Sequence, residues 1–354
     1  MTRVLFVDDE PNVLEGLRDM LRRDRRRWEM SFVEGGGGAI ELLNGEPLDI
    51  VVCDMRMPVV DGSHVLEAAR ALQPSACRVV LSGQTDRESM LRSIRLTHRF
   101  LAKPCEPDEL RRTIESLGSL DVLLPLAAAR DAVGSIVALP VQADVRDEAA
   151  EMFASSECSP ESVARIAAHD PALTANLLRL GSSAFFGTGT PLATVTAAAA
   201  AIGADGIRAP ELANAIFDGE TAHRPGYPVD LRAFAEHSSA VARRVEALRP
   251  GDEAAFAAGL LHDIGKLVLA ESQPELLLAF EAEAAERGCE LHVVERERRG
   301  ATHAEIGGVL LGLWGLSPEI VTAVALHADP AAPAGSLAAA IRIAEDEIAA
   351  GGPA

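Results

Sequence analysis

Short apolar runs alternate with helical segments over the first 115 residues, and this alternation constrains the fold more than any other feature. The run at 50–53 is apolar at every position, which is typical of a central parallel strand that is buried on both faces. Pro11 opens a helical pattern that continues through Leu14 and Leu17. Five such strands and five helices predict a doubly wound α/β fold with a five-stranded parallel sheet. The strands are expected at 4–7, 28–33, 50–53, 78–81 and 100–102, and the helices at 11–21, 40–43, 65–72, 85–95 and after Pro107.

Strand patterns almost vanish beyond residue 121, where Ala and Leu dominate and Gly or Pro residues end the helical stretches. This pattern predicts an all-helical second domain of ordinary size. The predicted organisation is an α/β domain at 1–118, a helical linker at 119–135 and an all-α domain at 136–354. The glycine run at 35–38 lacks the spacing of a nucleotide-binding motif, so we predict a plain loop there.

Polar residues stand at the ends of four of the predicted strands. In an open parallel sheet the carboxyl ends of the strands meet at one edge, and binding sites form there. Three of these residues are carboxylates, which would repel one another unless a hard cation lay among them. Oxygen ligands of this kind suit Mg²⁺. The residues are Asp8 and Asp9 after the first strand, Asp54 after the third, Ser82 after the fourth and Lys103 after the fifth.

This set of residues suits the transfer of a phosphoryl group. Asp54 can act as the nucleophile towards phosphorus. The Lys103 ammonium and Mg²⁺ would neutralise the charge of the transferred group, and the Ser82 hydroxyl can donate a hydrogen bond to one of its oxygens.

Four motifs in this region resemble those of the receiver domain of bacterial two-component response regulators. They are VDDE at 7–10, CDMRMP at 53–58, LSG at 81–83 and LAKP at 101–104. The resemblance covers about residues 1–118 and implies a role for each matching residue. It implies Asp54 as phosphoacceptor, Asp8 and Asp9 as metal ligands together with Asp54 and the backbone carbonyl of Arg56, Ser82 as switch hydroxyl, Lys103 as phosphate-sensing cation and Phe100 as switch aromatic.

The most distinctive pattern of the helical region is GLLHDIGK at 259–266, which contains an adjacent His-Asp pair. Further histidines and an acid lie on either side of it along the chain. Imidazole and carboxylate groups in such a set can bind a divalent metal ion that activates water against a phosphoester. The candidate residues are His237, His262, Asp263, His303, His327 and Glu345.

Three segments of the helical region resemble the HDOD module, an HD-related output domain of bacterial signalling proteins. They are HDPALTANLLRLGSSAFFG at 169–187, AGLLHDIGKLVL at 258–269 and THAEIGGVLLGLWGL at 302–316. The resemblance covers about residues 130–350 and implies the fold of HD phosphohydrolases with an incomplete, vestigial catalytic set. It also implies a role in protein interaction or regulation.

Two functions follow, and the residues leave both open. The first is a response regulator of a phosphorelay, phosphorylated on Asp54, with a non-catalytic HDOD output. The alternative is a response regulator whose HD-like domain is a metal-dependent phosphohydrolase, for example a cyclic-dinucleotide phosphodiesterase. Against catalysis, His327 is followed by Ala328 and Asp329 and not by the His-Glu step of the HD-GYP phosphodiesterases.

The composition restricts the partners. A formal net charge of -20 disfavours direct binding to DNA or to anionic lipid, and no apolar run is long enough for a membrane span. The five cysteines have no regular spacing and no secretory leader opens the chain, so we expect a cytoplasmic protein. The expected partners are a cognate histidine kinase or phosphotransfer protein, a downstream protein and, for a homodimer, a second copy of the chain.

Overall fold

The computed structural model describes residues 1–83, 93–94, 96–123, 127–134, 136, 139–183, 185–186, 189–209, 212, 216 and 226–351. Its internal contacts divide the chain into two compact units. The first comprises Met1–Ala127 with Ser183–Phe185, and the second comprises Ala128–Ser182 with Phe186–Ala354.

The first unit contains a five-stranded parallel sheet in the order β2-β1-β3-β4-β5, which confirms the predicted doubly wound fold. All five residues of β3 are buried, as the apolar run required. The predicted helix at 85–95 lies largely outside the described residues. The strands are β1 Thr2–Asp8, β2 Trp28–Glu34, β3 Ile50–Asp54, β4 Cys77–Gly83 and β5 Arg99–Lys103, and the α-helices of this unit span Pro11–Met20, Gly36–Leu43, Gly62–Leu72 and Pro107–Leu123.

Every secondary-structure element that the structure describes in the second unit is a helix, as predicted. No helix among the described residues is long and apolar enough to cross a membrane. The helices begin and end at Ala127–Gly134, Ala143–Ala154, Pro160–Ala167, Pro171–Gly181, Val195–Ile202, Ala204–Ile207, Leu231–Leu248, Ala255–Leu261, Ile264–Ser272, Pro274–Arg287, Leu291–Arg299, His303–Trp314, Pro318–Leu326 and Leu337–Ala349.

The prediction of a plain loop at 35–38 is wrong, because a helix begins at Gly36. Gly35 has a φ of 76°, which glycine adopts without strain and which turns the chain from β2 into the helix. A Cβ on Gly36 would lie 2.5 Å from the carbonyl oxygen of Val60, so the helix start packs tightly against the segment before the next helix. The glycines therefore serve a close helix contact and not a loose connection.

Gly62 allows the helix Gly62–Leu72 to begin directly against the end of β3. Its amide donates a hydrogen bond of 3.0 Å to the carbonyl oxygen of Met55. A Cβ at this position would lie 2.2 Å from the carbonyl oxygen of Asp54 and 2.8 Å from the Cα of Met55. The backbone that carries Asp54 thus depends on the absence of a side chain at Gly62.

We expect Gly62→Ala to lower the free energy of unfolding of the first unit by about 1–3 kcal/mol, because the methyl group would have to displace backbone. Urea unfolding followed by Trp28 fluorescence in a Trp314→Phe background measures this unit. Gly16→Ala is the control, since Gly16 is an exposed helical position with nothing within 4 Å of its would-be Cβ. That variant should be neutral or more stable, and equal effects of the two variants would contradict the packing argument.

Candidate functional site

Three of the predicted polar residues meet at the carboxyl edge of the sheet. The Lys103 ammonium at the end of β5 lies 2.7 Å from Oδ2 of Asp8 and 2.6 Å from Oδ1 of Asp54. Both carboxylates are buried, at 1% and 7% relative exposure. A single lysine therefore bridges the ends of the adjacent strands β1 and β3.

Backbone amides hold the second oxygen of each carboxylate. The amide of Arg56 donates to Oδ2 of Asp54 at 2.9 Å, and the amide of Glu10 donates to Oδ1 of Asp8 at 3.0 Å. These contacts come from the residues that follow each strand, so the turn after the strand orients the side chain at its end.

Burial raises the pKa of Asp54 above its usual range, while the hydrogen bond and charge of Lys103 oppose that effect. For Lys103, burial alone would lower the pKa, but its hydrogen bonds to Asp54 and Asp8 outweigh burial and raise it. The lysine therefore stays protonated and partly balances the two carboxylates.

The other predicted residues of this pocket have the following positions. Asp9 follows β1 and is partly buried, and Arg56 is exposed just after β3. Phe100 is buried in β5 at 5% exposure. Ser82 pairs with Ala102 in the sheet, but its side chain lies outside the described part of the structure. Asp8 and Asp54 offer buried carboxylate oxygens at the ends of adjacent strands, and Asp9 follows Asp8 in the chain. Carboxylate oxygens are the ligands that Mg²⁺ prefers, so the residue types of the pocket fit this ion.

A second cluster forms in the helical unit from residues on six different helices or their ends. His237 lies on the helix Leu231–Leu248, and His262 and Asp263 connect two consecutive helices. The ligand atoms of His237, His262, Asp263 and Glu345 all lie within 4.8 Å of one another, and so do those of Asp263, His303 and His327. The six predicted candidates are thus brought together, with Asp263 belonging to both groups.

Asp263 lies at the centre of this cluster. Its Oδ2 is 3.4 Å from Nε2 of His262, and its Oδ1 is 3.1 Å from Nε2 of His303. Nε2 of His237 and of His327 each lie 3.9 Å from one of its oxygens. The aspartate and His262 are 1% and 0% exposed, so these groups face one another with little water between them.

In each of the three buried histidines, Nδ1 lies within hydrogen-bond distance of an oxygen acceptor. Nδ1 of His262 lies 2.7 Å from the carbonyl oxygen of Gly259, and Nδ1 of His327 lies 2.8 Å from that of Val324. Nδ1 of His303 lies 2.7 Å from a carboxylate oxygen of Glu295. Each Nδ1 must therefore carry the proton, and each ring presents Nε2 to the centre of the cluster.

Nε2 of His262 and Oδ1 of Asp263 are buried and have ion-pair neighbours at 3.4 Å and 3.1 Å, but neither atom makes a hydrogen bond. Unpaired polar atoms are rare in protein interiors and call for an explanation. Imidazole nitrogens and carboxylate oxygens aimed at one point are the ligands of a divalent transition metal, so this set of residues fits such an ion. Three partly exposed side chains border the cluster: His237 at 38%, Glu345 at 30% and Lys266 at 27%.

Burial and the neighbouring charges shift the pKa values of the buried histidines in opposite directions. Burial would lower the pKa of His262, but Asp263 and Glu345 raise it to about 10. Burial is likewise outweighed at His303, where Glu295 and Asp263 raise the pKa to about 9. Burial and the charge of His262 lower the pKa of His327 to about 4. Without a metal ion, the cluster therefore contains both charged and neutral imidazole rings.

Two residues of the cluster were not among the predicted candidates. Lys266 donates a hydrogen bond of 2.6 Å to Oδ2 of Asp263. It could have been predicted from the sequence, because it stands within GLLHDIGK three residues after Asp263, a spacing that places both side chains on one helix face. Glu295 is 0% exposed and binds His303, but it stands in the charged stretch of Leu291–Arg299, where nothing in the sequence distinguishes it from its exposed neighbours.

Comparisons with known proteins agree with this division of the chain. Residues 4–115 match the response regulator receiver domain, and residues 139–330 match the HDOD domain. The hydrogenase transcriptional regulatory protein HoxA of Bradyrhizobium diazoefficiens is 33% identical over 114 residues, which are 32% of this chain and 23% of that protein. The transcriptional regulatory protein KdpE of Mycobacterium tuberculosis is 31% identical over 110 residues, 31% of this chain and 47% of that protein.

The chain thus covers less than half the length of either relative. Among solved structures, the MmoQ response regulator of Methylococcus capsulatus has 26% sequence identity and a TM-score of 0.47, and the match covers 59% of this chain and 85% of that one.

We expect the metal-free second unit to lose stability as the pH rises from 7 to 10. The raised pKa values of His262 and His303 contribute stability that is complete below pH ~6.5 and is lost as the pH passes about 9 and about 10. The pKa values of His237 and His327 are lowered, so these residues change the stability only below about pH 6.5.

Thermal unfolding of chelator-treated protein, followed by circular dichroism, measures this loss, which should be on the order of 1 kcal/mol or more. His262→Gln should make the loss of stability with rising pH smaller. His292→Gln, on a partly exposed residue outside the cluster, should leave it unchanged. A wild-type profile that is flat from pH 7 to 10 would contradict the ion pairs described for the cluster.

Proposed function

Because the chain belongs to the HDOD domain family and carries a response regulator receiver domain, it is a response regulator of a two-component system, and we propose that it is phosphorylated on Asp54. The contact that carries this proposal is the Lys103 bridge between Asp54 and Asp8. It keeps a cation beside the carboxylate that would receive a phosphoryl group, where negative charge builds up during the transfer.

In the proposed reaction, a carboxylate oxygen of Asp54 attacks the phosphorus atom of the donor. The bond between phosphorus and the leaving atom of the donor breaks, and its electron pair stays with the donor. The Arg56 amide keeps one oxygen of Asp54 in place, so the other oxygen is oriented for attack. Mg²⁺, held by Asp8, Asp9, Asp54 and the carbonyl of Arg56, would supply positive charge next to the phosphoryl oxygens.

The remaining predicted residues take part in sensing the phosphoryl group. Ser82 and Lys103 would bind its oxygens, and Phe100 would change its packing in the phosphorylated state. The donor would be a histidine kinase or a phosphotransfer protein, the partner class that receiver domains imply.

The HDOD domain is proposed as a non-catalytic output that binds a downstream protein or a second copy of the chain. The net charge of -20 favours such a partner over direct contact with DNA, since the phosphate backbone would be repelled. Phosphorylation would act by shifting the receiver between two states with different affinities for that partner.

We expect Asp54→Asn protein to take no phosphoryl label from acetyl phosphate in the presence of Mg²⁺, because an amide is not a nucleophile towards phosphorus. Intact-mass spectrometry of the full chain detects the added group. Glu10→Gln is the matched control, since Glu10 is an exposed acid adjacent to the pocket and should leave labelling intact. Labelling of Asp54→Asn at the wild-type level would show that another residue is the acceptor.

A second candidate function is metal-dependent hydrolysis of a phosphoester by the HDOD domain, with a cyclic dinucleotide as one such substrate. The observation in its favour is the convergence of six side chains, two of which have a buried polar atom that makes no hydrogen bond, Nε2 of His262 and Oδ1 of Asp263. The six residues are His237, His262, Asp263, His303, His327 and Glu345. A divalent metal ion held by these residues would lower the pKa of a bound water and make it a nucleophile.

For this candidate we expect protein purified without chelator to contain iron, manganese or zinc, up to one ion for each of the two ligand groups. Elemental analysis measures the content, and hydrolysis of a chromogenic phosphodiester measures activity. His262→Ala should lose both, whereas His292→Ala should keep both. Wild-type protein that binds no added metal ion would exclude the hydrolase and leave the interaction role.

A further inference from the structure

We propose that Glu295 is a positioning residue that prepares His303 to bind a divalent metal ion through Nε2. This inference rests on the metal site described for the second candidate function. It starts from a difference between His303 and the two other buried histidines of the cluster.

His262 and His327 follow the last turns of their helices. Each has a backbone carbonyl three residues earlier that accepts from Nδ1, at Gly259 and Val324 respectively. His303 is the first residue of the helix His303–Trp314. A helix start has free amides and no preceding helical carbonyls, so its own helix offers His303 no acceptor.

Glu295 supplies the missing acceptor from the neighbouring helix. Its Oε2 accepts from Nδ1 of His303 at 2.7 Å and from the backbone amide of His303 at 2.9 Å. The two contacts hold both the ring and the first turn of the helix. Nδ1 must therefore carry a proton, and Nε2 points at Asp263, 3.1 Å away.

The negative charge of Glu295 serves more than packing. The residue is 0% exposed, although its neighbours Arg296, Glu297 and Arg298 are exposed. Burial of a carboxylate is costly unless it is paired. Here Oε2 of Glu295 is paired with both Nδ1 and the backbone amide of His303.

An ionised carboxylate on Nδ1 makes Nε2 more electron-rich and fixes the ring orientation, which strengthens metal binding by the imidazole. A glutamine would accept the same hydrogen bonds without the charge.

The test is the Zn²⁺ affinity of chelator-treated full-length protein, measured by competition with a chromophoric chelator. The Zn²⁺ binding that remains in His262→Gln protein measures binding outside the cluster. We expect Glu295→Gln to weaken Zn²⁺ binding by about 10–100-fold. Glu297→Gln, an exposed acid on the same helix that pairs with Arg287, should bind as the wild type does.

A double-mutant cycle separates positioning from a general structural effect. In a His303→Ala background, Glu295→Gln should weaken binding no further, because Glu295 acts only through His303. Equal losses in both backgrounds would overturn the inference. If Glu295→Gln does not fold, as judged by circular dichroism, Glu295→Asp withdraws the charge by one methylene and should weaken binding to a smaller extent, and wild-type affinity in that variant would overturn the inference.

The outcomes distinguish the two proposals. Wild-type protein that binds no Zn²⁺ beyond the His262→Gln background would remove the metal site and the role of Glu295 together. Wild-type protein that binds Zn²⁺, with Glu295→Gln of equal affinity, would leave the metal site in place and overturn the positioning role alone.

Discussion

The carboxylate of Asp263 is 1% exposed and remains ionised only because other groups surround it. Burial would raise its pKa, whereas the charges of Lys266 and His262 hold that pKa well below its usual range. Those partners come from consecutive helices, and His303 is added from the helix His303–Trp314. Packing of the helices around one buried charge therefore determines where each histidine ring points.

The first unit also stabilises buried carboxylates with a nearby cation. Asp8 and Asp54 are buried at adjacent strand ends, and Lys103 reaches both from the edge strand β5. In both units a lysine ammonium lies within 2.7 Å of a buried aspartate. The proposed ligands differ because the surrounding atoms differ: carboxylate oxygens suit Mg²⁺, and imidazole nitrogens suit a transition metal.

The α/β fold was predictable because the central strand of a parallel sheet covered on both faces must be apolar along its length, as 50–53 is. The start of the helix at Gly36 was not, since a glycine run has no helical preference and only the close approach to Val60 explains it. Glu295 was also beyond prediction. It lies in a charged stretch with exposed neighbours, and only its position on the buried face of the helix distinguishes it from them.

The chemistry available to this protein follows from its sequence alone: a receiver domain with acids and a lysine at its strand ends, and an HDOD domain with a His-Asp pair and scattered histidines. Spacing along the chain is enough for this, because parallel strands align their ends and motifs keep their order. The convergence of His237, His303, His327 and Glu345 on Asp263 follows only from the packing of the helices. These residues are far apart in sequence, and their distances depend on how the helices pack, which no local pattern encodes.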